Sequence, residues 1–238
     1  MLFLRSLLFN LCFLALTLAL SIPLLASRPF GFQAAWFWGT RWSAWSLALA
    51  RIICGIRLEV EGVEHLPGEP CVVMAKHQSA FETIAMPCLI PPFVWVLKRS
   101  LFYIPVFGWA LWALDEIAIR RSHPRKALKQ VLSQGRLFLR AGRWVVIFPE
   151  GERTSPGTTG EYQASGVMLA RQAATGILPV AHNAGTCWPK RAFIKRPGTI
   201  RIRFLPFIPA KEVAGTPRNQ LLEHIKSTIE TATRKLGG

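Results

Sequence analysis

The sequence predicts an α/β domain preceded by a membrane-anchoring helix or helical hairpin. Three observations predict it. From Leu58 onward, short apolar runs rich in β-branched residues alternate with helix-period segments, a layering of helices on a sheet rather than a sandwich. The chain opens with an uncharged stretch, Ser6 to Ser27, which as a helix at 1.5 Å per residue spans about 30 Å, a bilayer's hydrocarbon core. The composition is also greasy and basic at once: 51% of 238 residues are hydrophobic, only 18% are charged, and 29 Lys and Arg face 13 Asp and Glu, for a net charge of +16. Such hydrophobicity excludes intrinsic disorder and argues against a freely soluble domain, and a basic surface suits an anionic membrane.

The organisation follows as residues 1–57, anchoring helices, and 58–238, the α/β domain. Pro23 sits near the end of the first helix, where a kink costs little. A secretory signal peptide is the rival reading, but the apolar run exceeds the usual 7–15 residues and Leu24 stands where a small residue is wanted. Trp36, Trp38, Trp42 and Trp45 follow, punctuated by Arg41 and Arg51, with no acidic residue before Glu59. Trp with Arg favours the headgroup layer, while Trp42 to Ile56 also reads as a helix packed on the domain. One full span and a hairpin seated in one leaflet both remain open.

Strands are predicted at Leu58–Glu61, Cys71–Ala75, Phe93–Leu97, Glu116–Ile119, Trp144–Phe148, Ile177–Ala181 and Thr199–Leu205. A helix between Ile119 and Trp144 starts at Pro124, shares a face among Leu128, Val131, Leu132 and Leu139, and ends by Gly142. Another, after Pro217, carries Leu222, Ile225 and Ile229 on one stripe. Glu150 to Gly160 is a loop long enough to be functional. Cys12, Cys54, Cys71, Cys88 and Cys187 are odd in number and scattered, which speaks against a disulfide framework or zinc site and fits a reducing compartment.

His77 directly follows a predicted strand, where α/β folds place reactive groups, and imidazole can act as a general base toward a hydroxyl. Glu82 can orient it only if His77 lies in the turn and Glu82 in the first helical turn. Ser79-x-x-Glu82 reads equally as a capping box. In Phe148-Pro149-Glu150-Gly151-Glu152-Arg153-Thr154, Arg153 and Thr154 can hold a phosphate, or the segment is a turn with solvated charges. His182 follows a strand end and either lines the site or packs in the core; His65, His123 and His224 lack motif neighbours. Lys190, Arg191, Lys195, Arg196, Arg201 and Arg203 form a basic run, but no nucleic-acid motif accompanies it.

His77-x-x-x-x-Glu82, the run Lys98…Pro105…Gly108…Arg121, Phe148-Pro149-Glu150-Gly151-x-Arg153 and Ile177-x-Pro179-Val180 occur in that order. Together they resemble the four blocks of the glycerolipid acyltransferase family, and within it the bacterial 1-acylglycerol-3-phosphate acyltransferases, over residues 58–205. The resemblance implies a mixed sheet flanked by helices, and acyl transfer from acyl-CoA or an acyl-acyl carrier protein to lysophosphatidate. It implies His77 as base, Glu82 as its orienting acid, Arg121 and Arg153 on the phosphate within a substrate-binding set with Glu150 and Gly151, and Pro179 on the acyl side. It implies no metal or redox cofactor, membrane lipids and no nucleic acid as partners, and a bacterial inner-membrane location with a cytoplasmic catalytic domain. This chain departs from the pattern in three places: Glu82 stands where Asp is usual, Arg120-Arg121 where Asp-Arg is usual, and Glu152-Arg153-Thr154 where Thr-Arg-Ser is common. Which of Arg120 and Arg121 meets phosphate is thereby open. Another lysophospholipid acceptor, or a basic membrane scaffold without catalysis, are the alternative functions.

Overall fold

The computed structural model describes residues 1–238. Strands β1 (Ile56–Glu61), β2 (Val72–Ala75), β3 (Phe93–Lys98), β4 (Ile117–Ile119), β5 (Trp144–Ile147), β6 (Ile177–His182) and β7 (Gly198–Phe204) form one sheet in the order β1-β7-β6-β2-β5-β3-β4. All seven stand within two residues of the ends predicted from the apolar runs. The sheet is mixed. β2 runs parallel to β5 and β6, and β3 parallel to β5 and β4, whereas β6 and β7 are antiparallel and β1 follows β7.

The helices are α1 (Leu2–Ser27), α2 (Phe32–Cys54), α3 (Phe81–Ala85), α4 (Phe107–Ala113), α5 (Pro124–Arg140), α6 (Ser165–Ala173), α7 (Ala184–Cys187), α8 (Ala210–Gly215) and α9 (Arg218–Lys235). Side chains alternate across the pleat, so neighbouring strand residues feed opposite layers. Val73, Ala75, Phe93 and Val146 pack with Phe9 of α1, Ala50 of α2 and Phe81 of α3. Val72, Met74, Val145 and Ile147 pack with the helices of the other face, α5, α6 and α9. Both faces are thus covered, as the apolar strands require.

Helix α5 begins at Pro124 as predicted and buries Ala127, Val131, Gly135 and Leu139, with Leu128 and Leu132 on the flanks of that stripe. Gly135 is demanded by packing: a Cβ there would sit 2.6 Å from Leu169 Cδ2 of α6. In α9 the buried stripe is Leu221, Ile225 and Ile229, while the predicted Leu222 lies half-buried beside it. Leu221 keeps the four-residue interval that stacks side chains along a helix face.

Helices α1 and α2 form a hairpin through a 3₁₀ turn, Arg28–Phe30, held by the Trp42 Nε1–H donating to Thr17 Oγ1 at 3.0 Å. Helix α1 is long and apolar enough to cross a membrane, and leucines such as Leu4, Leu8, Leu11 and Leu14 are exposed along it. Yet both of its ends are tied to the α/β domain. Phe9 is fully buried against the edge of Trp188, with ring centroids 5.2 Å apart, and Ser6 Oγ accepts the Lys195 amide at 2.9 Å. At the other end Arg28 pairs with Asp115 at 2.6 Å. A helix moored at both ends lies along the domain instead of projecting from it. Its geometry is that of a hairpin lying flat, with an apolar side left open.

Candidate active site

The turn after β2 carries His77, and α3 follows with Glu82 as its second residue. This is the arrangement in which the two side chains can meet, and they do: His77 Nδ1 lies 2.9 Å from Glu82 Oε1. The same oxygen accepts the amides of Gln78 at 3.0 Å and Ser79 at 2.8 Å. The capping and orienting readings of Glu82 are therefore one interaction. Ser79 Oγ completes the cap by accepting the Phe81 amide. Glu82 is fully buried, and its Oε2 has no partner. Burial opposes ionisation, but the imidazoles of His182 and His77 and the Ser79 amide outweigh it and hold the carboxyl below its usual range.

With Nδ1 bound to a carboxylate, Nδ1 carries the proton and Nε2 is left as the basic nitrogen. The ring is fixed in plane as well. It stacks on Phe148 at 3.8 Å with 9° between planes, and Phe148 in turn stacks on Trp95 at 5.0 Å. Burial lowers the His77 pKa below the ordinary imidazole value; Glu82 pulls it up, and Arg153 and His182 push it down again. The imidazole is thus neutral near pH 7, as a base must be.

The loop after β5 clamps this turn. Glu150 Oε2 accepts the His77 amide at 3.0 Å, and the Thr154 amide donates to the His77 carbonyl at 2.8 Å. Gly151 takes a left-handed φ of +72°, which lets the chain reverse between the two contacts. Glu150 Oε1 receives Lys76 Nζ at 2.9 Å, which also donates to Glu230 Oε1 at 2.8 Å and to the Thr158 carbonyl at 3.1 Å. All three ammonium protons are used, and Lys76 is completely buried. Tyr162 Oη and Thr159 Oγ1 donate to Glu230. Burial raises Glu150 to a pKa of about 7 against the pull of Lys76.

His77 stands at the mouth of a cavity of about 530 Å³ bounded by α1, α2, β3 and α4. Its interior is lined by Leu24, Trp36, Trp42, Phe107, Ala110 and Leu114, and its mouth by Lys98, Arg121, Arg153, Lys190 and Arg191. Two carboxylates also line the cavity: Glu152, 3.2 Å from Lys190, and the buried Glu116, which accepts the Trp95 amide. Arg121 lines the cavity and Arg120 does not.

The sequence-predicted residues accordingly divide. His77, Glu82, Arg121 and Arg153 converge on the cavity mouth, Glu82 from behind the imidazole. Glu150 turns its carboxylate inward, to the His77 amide and Lys76, and Gly151 shapes the loop. Pro179 is buried in β6 beside Met74 of β2, away from the cavity lining. His182 is buried, its Nε2–H donating to the Lys76 carbonyl at 2.7 Å and its Nδ1 accepting the Ala184 amide, with Nε2 3.9 Å from Glu82. The basic run of the sequence is not one patch. Lys190 and Arg191 reach the cavity rim, Lys195 is buried under α1 against Asn10, and Arg201 and Arg203 pair with Glu59 and Glu61 across β1 and β7. Lys76 and Glu230 were not singled out by sequence reasoning, and Phe148 was named only as part of its block. A lysine beside a histidine gives no sign of being buried, and Glu230 is remote in the chain.

Comparison with known proteins bears on the same segment. A family model described as Acyltransferase matches residues 57–183. A 1-acyl-sn-glycerol-3-phosphate acyltransferase of Pseudomonas aeruginosa is 46% identical over 170 residues, which cover 71% of this chain and 66% of that protein. The human 1-acyl-sn-glycerol-3-phosphate acyltransferase alpha is 27% identical over 191 residues, 78% of this chain and 67% of the relative. The matched region thus spans about two thirds of these relatives' length. The crystal structure of the 1-acyl-sn-glycerophosphate (LPA) acyltransferase PlsC of Thermotoga maritima superposes with a TM-score of 0.80 at 19% identity, covering 99% of this chain and 98% of that one, so the fold is shared from end to end.

Proposed function

The chain belongs to the Acyltransferase family, and from that premise we propose that it transfers an acyl group from a thioester donor to the sn-2 hydroxyl of 1-acylglycerol 3-phosphate, giving phosphatidic acid. The observation that carries this reading is the His77–Glu82 pair at the cationic mouth of an apolar cavity. An amphipathic acceptor fits that polarity: alkyl chain inward, phosphate at the rim, hydroxyl beside the imidazole. The curated relatives' names point to the same acceptor.

His77 Nε2 takes the hydroxyl proton as oxygen attacks the thioester carbonyl, and Glu82 stabilises the imidazolium that forms. The tetrahedral intermediate collapses by expelling thiolate, which recovers the proton from His77. No metal or redox step enters this scheme; acyl-CoA or an acyl-carrier protein is the co-substrate. In this reading residues 1–57 seat the open side of α1 in one leaflet, and residues 58–238 carry the chemistry. The free cysteines and the thioester donor favour the cytoplasmic face of a bacterial inner membrane.

Arg153→Ala tests the acceptor. Loss of one charged hydrogen-bond partner should weaken lysophosphatidate use by roughly 10- to 150-fold, about 1.5–3 kcal/mol, while monoacylglycerol, which has no phosphate, is used as before. Arg153→Lys should recover only part, since a point charge cannot form the guanidinium fork. Equal losses on both acceptors would assign Arg153 to loop architecture and remove the phosphate from this rim.

The pH dependence has a definite sign. The reactive form is the deprotonated imidazole, so kcat/KM should fall as pH drops through a His77 pKa that lies below the ordinary value of about 6.5. Arg153 is one of the charges that depress it, so Arg153→Ala should move the acid limb upward. A pH–rate profile with an unmoved limb in that variant would show that Arg153 does not act on His77.

A further inference from the structure

We propose that α5 and the residues leading into it form a docking face for an acidic carrier protein that presents the donor thioester. This rests on the acyl-transfer reading above and names the donor it uses. No Asp or Glu occurs between Glu116 and Glu150, yet α5 alone carries Arg125, Lys126, Lys129, Arg136 and Arg140. None of these five pairs with a carboxylate; in this stretch only Arg143 does, with Asp115. Arg125, Lys126, Lys129 and Arg140 are exposed. Arg125 and Lys126 occupy the first turn, where the helix macrodipole repels cations and favours acids. The helix does not gain from them there.

Two features choose the partner. Helix α5 packs on the sheet face opposite to the one that receives α1 and α2, and it nears their turn only at its C-terminal end, where Arg143 lies over both Phe138 and Phe32; Arg125, Lys126 and Lys129 stand at its other end. The same basic row runs on into Arg121, which lines the cavity mouth. A protein whose acidic surface meets the start of α5 would therefore hold a tethered acyl thioester at the Arg121 side of the cavity mouth that His77 shares. Unpaired rim charges of one sign steer such an encounter and set its salt dependence.

The test is Arg125→Glu/Lys126→Glu/Lys129→Glu in the full chain, purified in detergent, with lysophosphatidate as acceptor. The same acyl group is supplied either on acyl-carrier protein or on coenzyme A. The KM for the carrier-borne donor should rise about tenfold or more at low salt, while that for the CoA-borne donor stays within about twofold. The corresponding Gln variant should show a smaller rise. Thermal unfolding should be no easier in the Glu variant, because acids suit the start of a helix. Anisotropy of a labelled carrier protein is read in parallel, so the docking face is tested even if turnover fails. A wild-type chain that turns over no lysophosphatidate with either donor would overturn the acyl-transfer reading, whatever the carrier binding shows. Equal KM increases for both donors, or unchanged carrier binding, would overturn the docking face. So would lost binding to phosphatidylglycerol vesicles with donor use unaltered, which would assign α5 to the bilayer.

Discussion

His77→Ala should lower kcat by about 10² to 10⁴ while KM for lysophosphatidate stays near its original value. The imidazole faces the cavity but is held by Glu82, Phe148 and the clamped backbone on either side, so truncation leaves those supports in place. The measurement is steady-state kinetics on detergent-matched protein whose unfolding transition coincides with that of the unmutated chain. A folded variant with undiminished turnover would remove His77 from the chemistry. Glu82→Ala should behave differently, because one oxygen serves both the ring and the turn. Its loss leaves the Gln78 and Ser79 amides buried and unpaired, at about 1–3 kcal/mol each, and frees the imidazole to rotate. Stability and kcat should fall together, whereas a residue that only capped α3 would lower stability alone.

That contrast also marks what can be read from the chain directly. The strands were legible because each is a short β-branched run bounded by turn residues, and burial on both faces leaves such runs uninterrupted. The spacing of His77 and Glu82 after β2, and the loop of Arg153, each allowed a structural reading as well; the ordered family blocks gave these residues their expected roles. The inward turn of Glu150 was not legible. The carboxylate sits next to a reversing glycine, which in sequence reads as an exposed turn, and only the position of Lys76 in three dimensions explains why it is buried. Pro179 is a similar case: its neighbours in the family block suggest a cavity wall, but alternation along β6 and pairing with β2 keep it inside the sheet. The cationic run from Lys190 to Arg203 was legible as charge but not as geometry. Arg201 and Arg203 share one face of β7 and pair with Glu59 and Glu61 of β1, whereas Lys190, Arg191 and Lys195 lie in the loop before it and meet other neighbours.

Lys76→Met should be the most destabilising single change in the turn that carries His77, costing about 3–5 kcal/mol, because it strands two carboxylates that share one buried cation. A chemical denaturation midpoint read by fluorescence would register that loss. Some activity should go with it even where the protein remains folded, since Glu150 Oε2 receives the His77 amide and is itself held by Lys76. Lys76 is thus a positioning residue, acting on kcat through Glu150 more than on substrate binding. Glu230→Gln offers a milder variant in case the first does not fold. It leaves Lys76 and Glu150 as a one-to-one pair and removes a neighbour that raises the Glu150 pKa. The pH sign follows. A carboxyl with a pKa of about 7 in the folded chain, raised chiefly by burial, favours folding fully below its unfolded pKa, near 4.5, and loses that contribution as pH climbs through about 7. In Glu230→Gln the Glu150 pKa is lower, so the decline in stability across that window should be shallower. An identical pH slope in both proteins would mean that Glu230 does not act on Glu150, and that α9 bears on the turn that carries His77 through packing alone.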